Sequence, residues 1–396
     1  MKDYYRVQAE INLDAIYNNI KRAKDIISND TEIMAIIKAD GYGHGSVAVA
    51  KTVDELVGGY GVATVEEAVE LRNAGINKMI LLLGVTHVKQ FHTVVKYDIR
   101  QTIFRYEDAY KLNEEAKKQQ KKAYIHIKLD TGMSRIGYPI DDNSLNEIKK
   151  IYMLEDVVVE GVFTHFACAD EADKTSANRQ CSLYNEFVFR LEKEGIDIPV
   201  KHISNSAAII DMPYANKNMV RSGIMTYGLY PSSEVNKNNL KLEPAMSIKT
   251  HITHIKMVKE GVGISYNSTY VTDKETKVAT IPVGYADGYP RKLSSVGKVL
   301  IKGQYAPVIG RICMDQFMID ITGIDNVKEF DEVTIVGKDG DNIITVEELA
   351  ELAGSFNYEF VCDIGKRIPR VYYRNGIKVG TFDYYDCTQY ALELEL

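Results

Sequence analysis

The feature that most constrains the fold is a regular alternation of short apolar runs and amphipathic segments between about residues 10 and 225. The apolar runs have strand length, and most segments between them carry apolar residues at the three-four spacing of a helix. Strands that alternate with helical crossovers form a parallel sheet, because each crossover returns the chain to the same end of the sheet. The predicted strands are residues 33–38, 60–63, 79–83, 99–104, 124–129, 157–165, 200–204 and 219–222.

The number of strand–helix units favours a closed barrel. The predicted helices include 14–27, before the first strand, and then 65–73, 106–119 and 182–194. About eight units fit an eight-stranded (β/α)8 barrel of the TIM type better than an open doubly wound sheet. An open dinucleotide-binding sheet would also carry G-x-G-x-x-G early in the chain. The glycine-rich segment 41–45 lacks that spacing, so we exclude the dinucleotide-binding fold.

After about residue 240 the pattern changes to extended runs separated by Gly, Asp and Asn turns, which is typical of a mostly β domain. Only 345–352 has a firm helical pattern there, and the polar segment 231–243 suits a linker. We therefore predict two domains, a barrel over residues 1–240 and a mostly β domain over residues 241–396. The predicted strands of the second domain are 245–258, 277–283, 299–301, 307–312, 317–321 and 332–336.

Charge and cysteine content limit the partners and the compartment. A net charge of −7 disfavours a nucleic-acid partner. The start of the chain has no apolar signal region, and the apolar stretch around residues 79–85 is too short to cross a membrane. Well-separated cysteines without a Cys-x-x-Cys pair favour neither disulfides nor a metal site, so we expect a cytoplasmic protein. The five cysteines are Cys168, Cys181, Cys313, Cys362 and Cys387.

Barrel enzymes place their active sites at the carboxyl ends of the strands, so the residues that end each strand are the first to consider. Lys38 ends the first strand. A lysine at a barrel mouth is partly desolvated, which favours a neutral amine that can condense with a carbonyl compound. From spacing alone, a lysine that caps the strand in solvent is the simpler interpretation.

The fifth strand combines several polar residues on one face. Alternation places His126, Lys128 and Asp130 together, and because the aliphatic face packs on helices, the charged face points into the barrel. Buried charges need partners, so an internal salt-bridge network explains this face as well as a site does. Arg135, just beyond, can bind a carboxylate through two parallel hydrogen bonds.

The last three strands end in polar and small residues. His165 ends the sixth strand, where it is either a catalytic residue or a hydrogen-bonded core histidine. The segments 204–206 and 221–224 follow, in positions where barrels often bind phosphate through backbone N–H groups and a hydroxyl. A phosphate-bearing ligand together with a barrel-mouth lysine suggests pyridoxal phosphate, which stabilises a carbanion beside an amino group.

An ordered set of motifs extends over nearly the whole chain. It includes Ile-Lys-Ala-Asp-Gly-Tyr-Gly-His-Gly at 37–45, Phe-Thr-His-Phe-Ala at 163–167 and Gly-Arg-Ile-Cys-Met-Asp-Gln at 310–316. The other segments are 128–137, 205–207, 219–224, 265–266 and 283–288. With this set the chain resembles the alanine racemase family of pyridoxal-phosphate enzymes, which have a barrel and a β domain. The resemblance implies an isomerase of a small amino acid that interconverts L- and D-alanine and supplies D-alanine for peptidoglycan.

The resemblance also implies a two-base mechanism. Lys38 matches the lysine that binds the cofactor covalently and acts as one base, and Tyr266 matches the second base. Racemisation needs one group to remove the Cα proton and another to deliver a proton to the opposite face. In the family the tyrosine comes from the partner subunit of a head-to-tail homodimer, so the active sites are shared. A tyrosine base needs nearby positive charge, for which His165 and Arg221 match the family residues.

The remaining matched residues concern the cofactor and the substrate carboxylate. Arg221 matches the residue at the pyridine nitrogen, and because an arginine only donates hydrogen bonds, it leaves that nitrogen unprotonated. The residues that match phosphate contacts are Tyr42, Ser206, Gly223 and Ile224. Arg135 and the backbone of Met314 match substrate-carboxylate contacts, with Tyr285 nearby. Lys128 matches a lysine that is often carbamylated, and a carbamate there would be negative and would hold Arg135.

One segment departs from the family pattern and leaves the substrate open. Where the family usually has Ser-Tyr-Arg-Val-Pro-Arg, residues 365–370 are Gly-Lys-Arg-Ile-Pro-Arg, so Lys366 replaces a tyrosine that binds phosphate and lines the substrate entry. A serine or broader amino-acid racemase is therefore an alternative. A decarboxylase of basic amino acids and a non-enzymatic pyridoxal-phosphate carrier are further alternatives. Arg221 and the Lys38–Tyr266 pair argue against the decarboxylase, and the β domain argues against the carrier.

Overall fold

The computed structural model describes residues 2–385 and divides into two compact units. The barrel unit comprises Ala15–Gly41 and Ser46–Pro244. Of the described residues, the β unit comprises 2–14, Tyr42–Gly45 and 245–385. Cys387 lies outside the described residues, whereas Cys168, Cys181 and Cys313 carry free thiols.

The predicted barrel is confirmed. The chain starts with β1 (Val7–Asn12), which belongs to the β unit, and then forms eight parallel strands that close in chain order. The closure pairs Ile33 with Val220. The strands are nearly continuously buried, as expected where helices cover a parallel sheet. They are β2 (Glu32–Ile36), β3 (Gly59–Val62), β4 (Met79–Leu82), β5 (Arg100–Ile103), β6 (Ala123–Lys128), β7 (Val157–Phe163), β8 (Val200–His202) and β9 (Met219–Ser222).

Helices follow or precede these strands. The α4 helix has a capping box, in which Thr64 accepts from the N–H of Glu67 and Glu67 accepts from the N–H of Thr64. The α8 helix begins seven residues before the predicted start, because its first two turns are polar and bury only Ala177, Gln180 and Cys181. The helices are α1 (Leu13–Asp25), α2 (Lys38–Tyr42), α3 (Ser46–Val53), α4 (Val65–Asn73), α5 (Phe91–Lys96), α6 (Tyr106–Lys118), α7 (Asp142–Tyr152), α8 (Thr175–Lys193) and α9 (Ser206–Asp211).

The second unit is mostly β, as predicted. Its main sheet runs in the order β11-β14-β17-β16-β15-β18-β10-β1-β20-β21, and β19 pairs with β18. The elements are β10 (Met246–His251), β11 (His254–Val258), β12 (Gly263–Ile264), β13 (Tyr270–Val271), β14 (Thr276–Ile281), β15 (Lys298–Ile301), β16 (Gln304–Ile309), β17 (Phe317–Asp320), β18 (Glu332–Asp339), β19 (Asn342–Ile344), α10 (Val346–Leu352), α11 (Asn357–Cys362), β20 (Arg370–Arg374) and β21 (Ile377–Phe382).

The predicted strand 245–258 is two strands in the structure. It breaks after His251, because β10 pairs with β1 and β18 whereas β11 pairs with β14. The N–H groups of Ile252 and Thr253 bond to Asp331 and Thr280 between them, so the change of partner leaves both groups satisfied.

The division into units differs from the predicted domain boundaries at the start of the chain. Residues 2–14 belong to the β unit, because β1 pairs antiparallel with β10 and parallel with β20. Residues 42–45 belong to it as well, and Arg370 Nε donates to the carbonyl of Gly43 (2.9 Å). A Cβ at Gly43 would lie 2.2 Å from the carbonyl oxygen of Val361, so this approach requires glycine.

Within residues 2–385, no helix is long and apolar enough to cross a membrane.

Candidate active site

Lys38 begins a strained turn directly after β2. Ala39, Asp40 and Gly41 all have left-handed backbone angles, with φ of 51°, 51° and 60°. Non-glycine residues in this region are strained by about 1–2 kcal/mol each and persist only where surrounding contacts hold them. Such contacts are present, because Asp40 Oδ1 accepts from the N–H of Ser46 at 2.9 Å. Lys38 itself is half-buried at the carboxyl end of the barrel.

Glu67 joins this turn to the next loop of the barrel. Its carboxylate accepts from the N–H of Ala39 after β2 (2.7 Å) and from the N–H of Ala63 after β3 (2.7 Å). Because Glu67 also closes the capping box of α4, a helix rather than a loose loop fixes the backbone next to Lys38.

Arg221, on β9, is a buried cation at the same end of the barrel. It is 3% exposed, and its Nη2 donates to the carbonyls of Thr164 (2.8 Å) and Ile203 (2.9 Å). Its Nη1 contacts His202 Nδ1 at 2.9 Å. Burial lowers the pKa of Arg221 to about 10, so the guanidinium stays charged at neutral pH.

His165 is neutral in this arrangement. Its Nδ1 lies 3.1 Å from Arg221 Nη2, and because a guanidinium only donates, Nδ1 must accept and the ring proton must be on Nε2. Burial, reinforced by the positive charge of Arg221, lowers the pKa of His165 well below its usual range. Of the two residues expected to supply positive charge to a tyrosine base, Arg221 therefore carries the charge.

The loops after β8 and β9 meet through backbone and hydroxyl groups. Asn205 caps α9 by accepting from the N–H of Ala208. Ser206, the first residue of that helix, accepts from the N–H of Gly223 at 2.9 Å. Ile224 follows at the start of a 3-10 helix. The structure thus brings together Ser206, Gly223 and Ile224 with donors of the type that bind phosphate.

Lys128 is buried at the end of β6. It is 3% exposed, and its Nζ donates to the carbonyl of Leu129 (2.6 Å). The salt-bridge network considered from the sequence does not include it, because no carboxylate among residues 2–385 forms an ion pair with Lys128. Burial, together with the positive charges of Arg221 and Arg135, lowers the pKa of Lys128 to about 7. A substantial fraction of the amine is therefore neutral at neutral pH.

The loop that carries Arg135 is organised by Asp130. Its Oδ1 accepts from the N–H groups of Gly132 and Ser134, both at 3.0 Å. Arg135 itself is exposed. The fixed loop presents a guanidinium that can bind a carboxylate.

Tyr266 lies on the surface of the β unit, between the short strands β12 and β13. It is 66% exposed, and the preceding Ser265 has a φ of 64°. The Ser265 hydroxyl donates to the carbonyl of Arg311 (2.7 Å), which secures the strained turn. Tyr266 shares a shallow groove with Met314, Cys313 and Gln316.

Tyr285 and Met314 are held together by their backbones. The N–H of Tyr285 donates to Cys313 (3.1 Å) and that of Ala286 donates to Met314 (3.0 Å). A Cβ at Gly284 would lie 2.3 Å from the carbonyl oxygens of Cys313 and Met314, so only glycine permits this approach. The N–H of Met314 is a donor and therefore the backbone group of this residue that can bind a carboxylate.

The site residues predicted from the sequence fall in both units. In the β unit, Tyr42 is buried 6.1 Å from the ring of Tyr358, and burial raises its pKa. Lys366 is exposed, with its amine 5.6 Å from the ring of Tyr384. The β unit holds Tyr42, Tyr266, Tyr285 and Met314, and the barrel unit holds Lys38, Lys128, Arg135, His165, Ser206, Arg221, Gly223 and Ile224.

Sequence reasoning missed His202, Glu160 and Glu67. His202 is the last residue of β8 and is fully buried, and its place inside the predicted strand 200–204 was the available signal. The capping-box spacing of Thr64 and Glu67 was the available signal for Glu67. No local pattern marks Glu160, because its partner His126 lies on another strand.

The chemistry of the barrel mouth fits a phosphorylated pyridine aldehyde. Such a ligand needs an amine for its carbonyl, N–H and hydroxyl donors for its phosphate, and a donor for its ring nitrogen. Lys38, the Ser206 and Gly223 loops, and Arg221 offer these groups in that order. The residues present therefore fit pyridoxal phosphate.

Comparisons with known proteins agree on one family. The model of the alanine racemase N-terminal domain matches residues 11–231, and that of the C-terminal domain matches residues 245–372. An alanine racemase of Methanococcus maripaludis is 48% identical over 92% of this chain and 98% of its own. An alanine racemase structure from Clostridium difficile has a TM-score of 0.94 and 44% identity, covering 97% of this chain and 100% of its own. Another, from Bacillus anthracis with bound L-Ala-P, has a TM-score of 0.92 and 38% identity, covering 97% and 99%.

Proposed function

The chain belongs to the alanine racemase family, a family of isomerases, and on that premise we propose that it interconverts L- and D-alanine with pyridoxal 5'-phosphate. The observation that carries the proposal is the guanidinium of Arg221, buried at the barrel mouth and bound to neutral acceptors. A donor that cannot give up its proton favours an unprotonated pyridine nitrogen. A pyridine ring with an unprotonated nitrogen withdraws electrons only modestly, which disfavours decarboxylation and other side reactions.

In the proposed mechanism, this chain's residues bind the cofactor and move one proton. When bound, pyridoxal phosphate supplies electron withdrawal that acidifies the Cα–H bond of the amino acid. Lys38 holds the cofactor and takes or delivers the Cα proton on one face. Ser206, Gly223 and Ile224 would hold its phosphate. Neutral His165 keeps Arg221 oriented without adding a second charge.

Tyr266 is the proposed base on the opposite face, supplied by the partner subunit of a homodimer. Its exposure of 66% and the shared groove with Met314 support a role at a surface that another chain covers. Arg135, the N–H of Met314 and Tyr285 would hold the substrate carboxylate and its surroundings. Production of D-alanine for peptidoglycan and a cytoplasmic location stay predictions.

Alanine is the preferred substrate in this proposal, and serine is the second candidate. The names of the relatives and the L-Ala-P in the Bacillus anthracis structure support alanine. The observation that keeps serine open is Lys366, which replaces a tyrosine of the family pattern and is exposed beside Tyr384.

A substrate panel tests the proposed function. Purified protein with added pyridoxal phosphate is incubated with L-alanine, L-serine, L-lysine and L-arginine, and D-isomers and carbon dioxide are quantified. We expect D-alanine, with a kcat/KM about tenfold and no more than about 100-fold above that for serine, because a small apolar pocket rejects one added hydroxyl only weakly. Carbon dioxide without a D-isomer would contradict the racemase, and preference for serine would move the proposal to the alternative. A Lys366→Tyr variant should change the alanine-to-serine ratio if this position shapes the pocket.

Lys128 is the proposed site of a carbamate. The lone pair of its neutral amine attacks the carbon of carbon dioxide, and loss of one proton to solvent leaves a carbamate anion. The buried amine has a pKa of about 7, so far more of it is neutral at neutral pH than for an ordinary lysine at about 10.4. The resulting negative charge would face the guanidinium of Arg135 and offset the cluster of positive charges.

We expect a carbamate 13C signal when the protein is supplied with 13C-bicarbonate. The signal should rise between about pH 6 and pH 8, because deprotonation of the amine at a pKa of about 7 supplies the reactive form. Lys128→Ala should abolish it, whereas Lys201→Ala, a change of an outward ion-paired lysine, should leave it intact. A spectrum at about pH 8 without the signal would rule out the modification in solution.

A further inference from the structure

The hydrogen bonds of Arg221 continue into the barrel as a connected chain. His202, bonded to Arg221, places its Nε2 2.9 Å from Nδ1 of His126. His126 in turn places its Nε2 3.3 Å from a carboxylate oxygen of Glu160. Arg100 donates to the same oxygen at 3.0 Å. Both histidines are 0% exposed, so this is a buried polar path from the barrel mouth toward the amino ends of the strands.

The two ends of the path determine the direction of every hydrogen bond in it. A guanidinium only donates, so His202 accepts at Nδ1 and carries its proton on Nε2. That proton is donated to Nδ1 of His126, which therefore carries its own proton on Nε2 and donates it to Glu160. Burial lowers the pKa values of both histidines, in agreement with neutral rings. No other placement of the ring protons on His202 and His126 satisfies all the hydrogen bonds between Arg221 and Glu160.

Strand β7 is shaped to hold this path. The register between β6 and β7 shifts, with Ile125 opposite Val159 and His126 opposite Gly161, so Glu160 is the extra residue of a β-bulge. A Cβ at Gly161 would lie 2.3 Å from Nδ1 of His126, so glycine makes room for the ring. The bulge changes the direction of the Glu160 side chain, and Gly161 leaves space for the ring of His126. Together they bring Glu160 into contact with His126.

Glu160 is the carboxylate of this path. Burial raises its pKa, but the hydrogen bonds from His126 and Arg100 outweigh burial and lower the pKa to about 2. It is therefore negative at every pH at which the protein would work. A carboxylate in direct contact with Arg221 would occupy its forked donors. Two imidazoles between the charges instead keep the carboxylate out of contact with Arg221, whose Nη2 donates to the carbonyls of Thr164 and Ile203.

We propose that His126 and Glu160 are positioning residues, which orient His202 and through it the guanidinium of Arg221. The inference rests on the proposed function, because orientation of Arg221 matters for catalysis only if the barrel mouth binds the cofactor. The competing interpretation is a buried network that stabilises the fold and has no influence on Arg221.

Four variants separate the two interpretations. His126→Leu removes both hydrogen bonds of the ring, His126→Gln retains one acceptor and one donor, and Glu160→Gln removes the negative charge. The matched control is Glu192→Gln, which breaks the outward ion pair of Glu192 with Lys201 on β8. Each variant is measured for thermal stability, for alanine racemisation, and by 15N and 1H NMR of labelled histidine, with and without pyridoxal phosphate.

We expect His126→Leu to lower kcat on the order of 10- to 100-fold, with a smaller change in KM. Losses of this size follow when a residue that hydrogen-bonds and orients a metal-bound histidine is removed. His126→Gln should recover activity to within a few-fold of the native protein. The downfield N–H proton of His202 should disappear in His126→Leu and persist in His126→Gln. In Glu160→Gln the corresponding His126 proton should shift upfield, because its acceptor loses its charge.

The proposal is overturned if His126→Leu folds and retains native kcat, or if His126→Gln and His126→Leu lose activity equally while only His126→Leu loses the NMR signal. Failure of the proposed function has a different signature, since the native protein would then lack racemase activity. The apo-protein NMR would still report whether His202 and His126 have the assigned protons. A nitrogen spectrum with His202 protonated at Nδ1 would overturn the inference independently of activity.

Discussion

Lys38→Ala is expected to lower the kcat for alanine racemisation by roughly 10⁴-fold, near the upper end of what one general base contributes. The substitution removes the amine proposed to hold the cofactor and to exchange the Cα proton on one face. The strained turn that carries Lys38 is held by the backbone contacts of Glu67 and Asp40, so the loss should be chemical rather than structural. Racemisation is followed by chiral chromatography, and folding by circular dichroism.

Covalent trapping gives a second measurement for the same residue. Borohydride treatment of the native protein with pyridoxal phosphate should label the peptide that contains Lys38, as read by mass spectrometry. Lys51→Ala, a change of an exposed lysine on α3, is the control and should keep both label and activity. Added methylamine should partly restore proton exchange in Lys38→Ala if the lost group is a base. Native-like kcat in Lys38→Ala would exclude the assigned role.

Tyr266→Phe is expected to lower kcat in both directions by roughly 10³-fold, because the second face of Cα loses its base. Lys38 remains, so α-hydrogen exchange with deuterated solvent should persist for one alanine enantiomer and fail for the other. Mass spectrometry of each recovered enantiomer measures this asymmetry. Since Tyr266 is 66% exposed, the change should alter the free energy of unfolding by no more than about 0.5 kcal/mol.

The control for Tyr266 is Tyr305→Phe, which removes another exposed hydroxyl of the β unit. It should leave kcat and both exchange reactions unchanged. If Tyr266→Phe instead slows exchange of both enantiomers equally, the two-base assignment is wrong. If it leaves racemisation unchanged, Tyr266 is not a catalytic residue.

Mixing the two inactive variants tests whether the sites are shared between subunits. A dimer of one Lys38→Ala chain and one Tyr266→Phe chain has one complete site if each site combines Lys38 of one chain with Tyr266 of the other. Random mixing should then restore about a quarter of native activity, since half of the dimers are mixed and each has one of two sites complete. Sites formed within a single chain would give no recovery.

Local patterns in the sequence predicted the eight strands of the barrel with boundaries within a few residues. Apolar runs at strand length, separated by helical spacing, are visible in any short window, and each predicted run coincides with one of β2–β9. They also placed Lys38 and His165 at strand ends, where barrels assemble their sites. The ordered motifs then indicated the family, which the comparisons confirm.

Pairings between distant segments were not predictable in the same way. The strand β1 belongs to the β unit because its partners, β10 and β20, lie more than two hundred residues further along the chain. The β-bulge at Glu160 exists only relative to the register of β6. No window of sequence contains both members of either pairing.

The sequence by itself determined the barrel, the mostly β unit and which residue types stand at the strand ends, because periodicity and motif order are local properties of the chain. Only the tertiary structure decided the charge states at the barrel mouth. His165 is neutral because it is buried and lies against the charged Arg221, and Lys128 has a lowered pKa because it is buried among positive charges. The path to Glu160 joins residues as far apart as His126 and His202. Burial and hydrogen-bond partners depend on contacts through space, and these form only when the barrel closes.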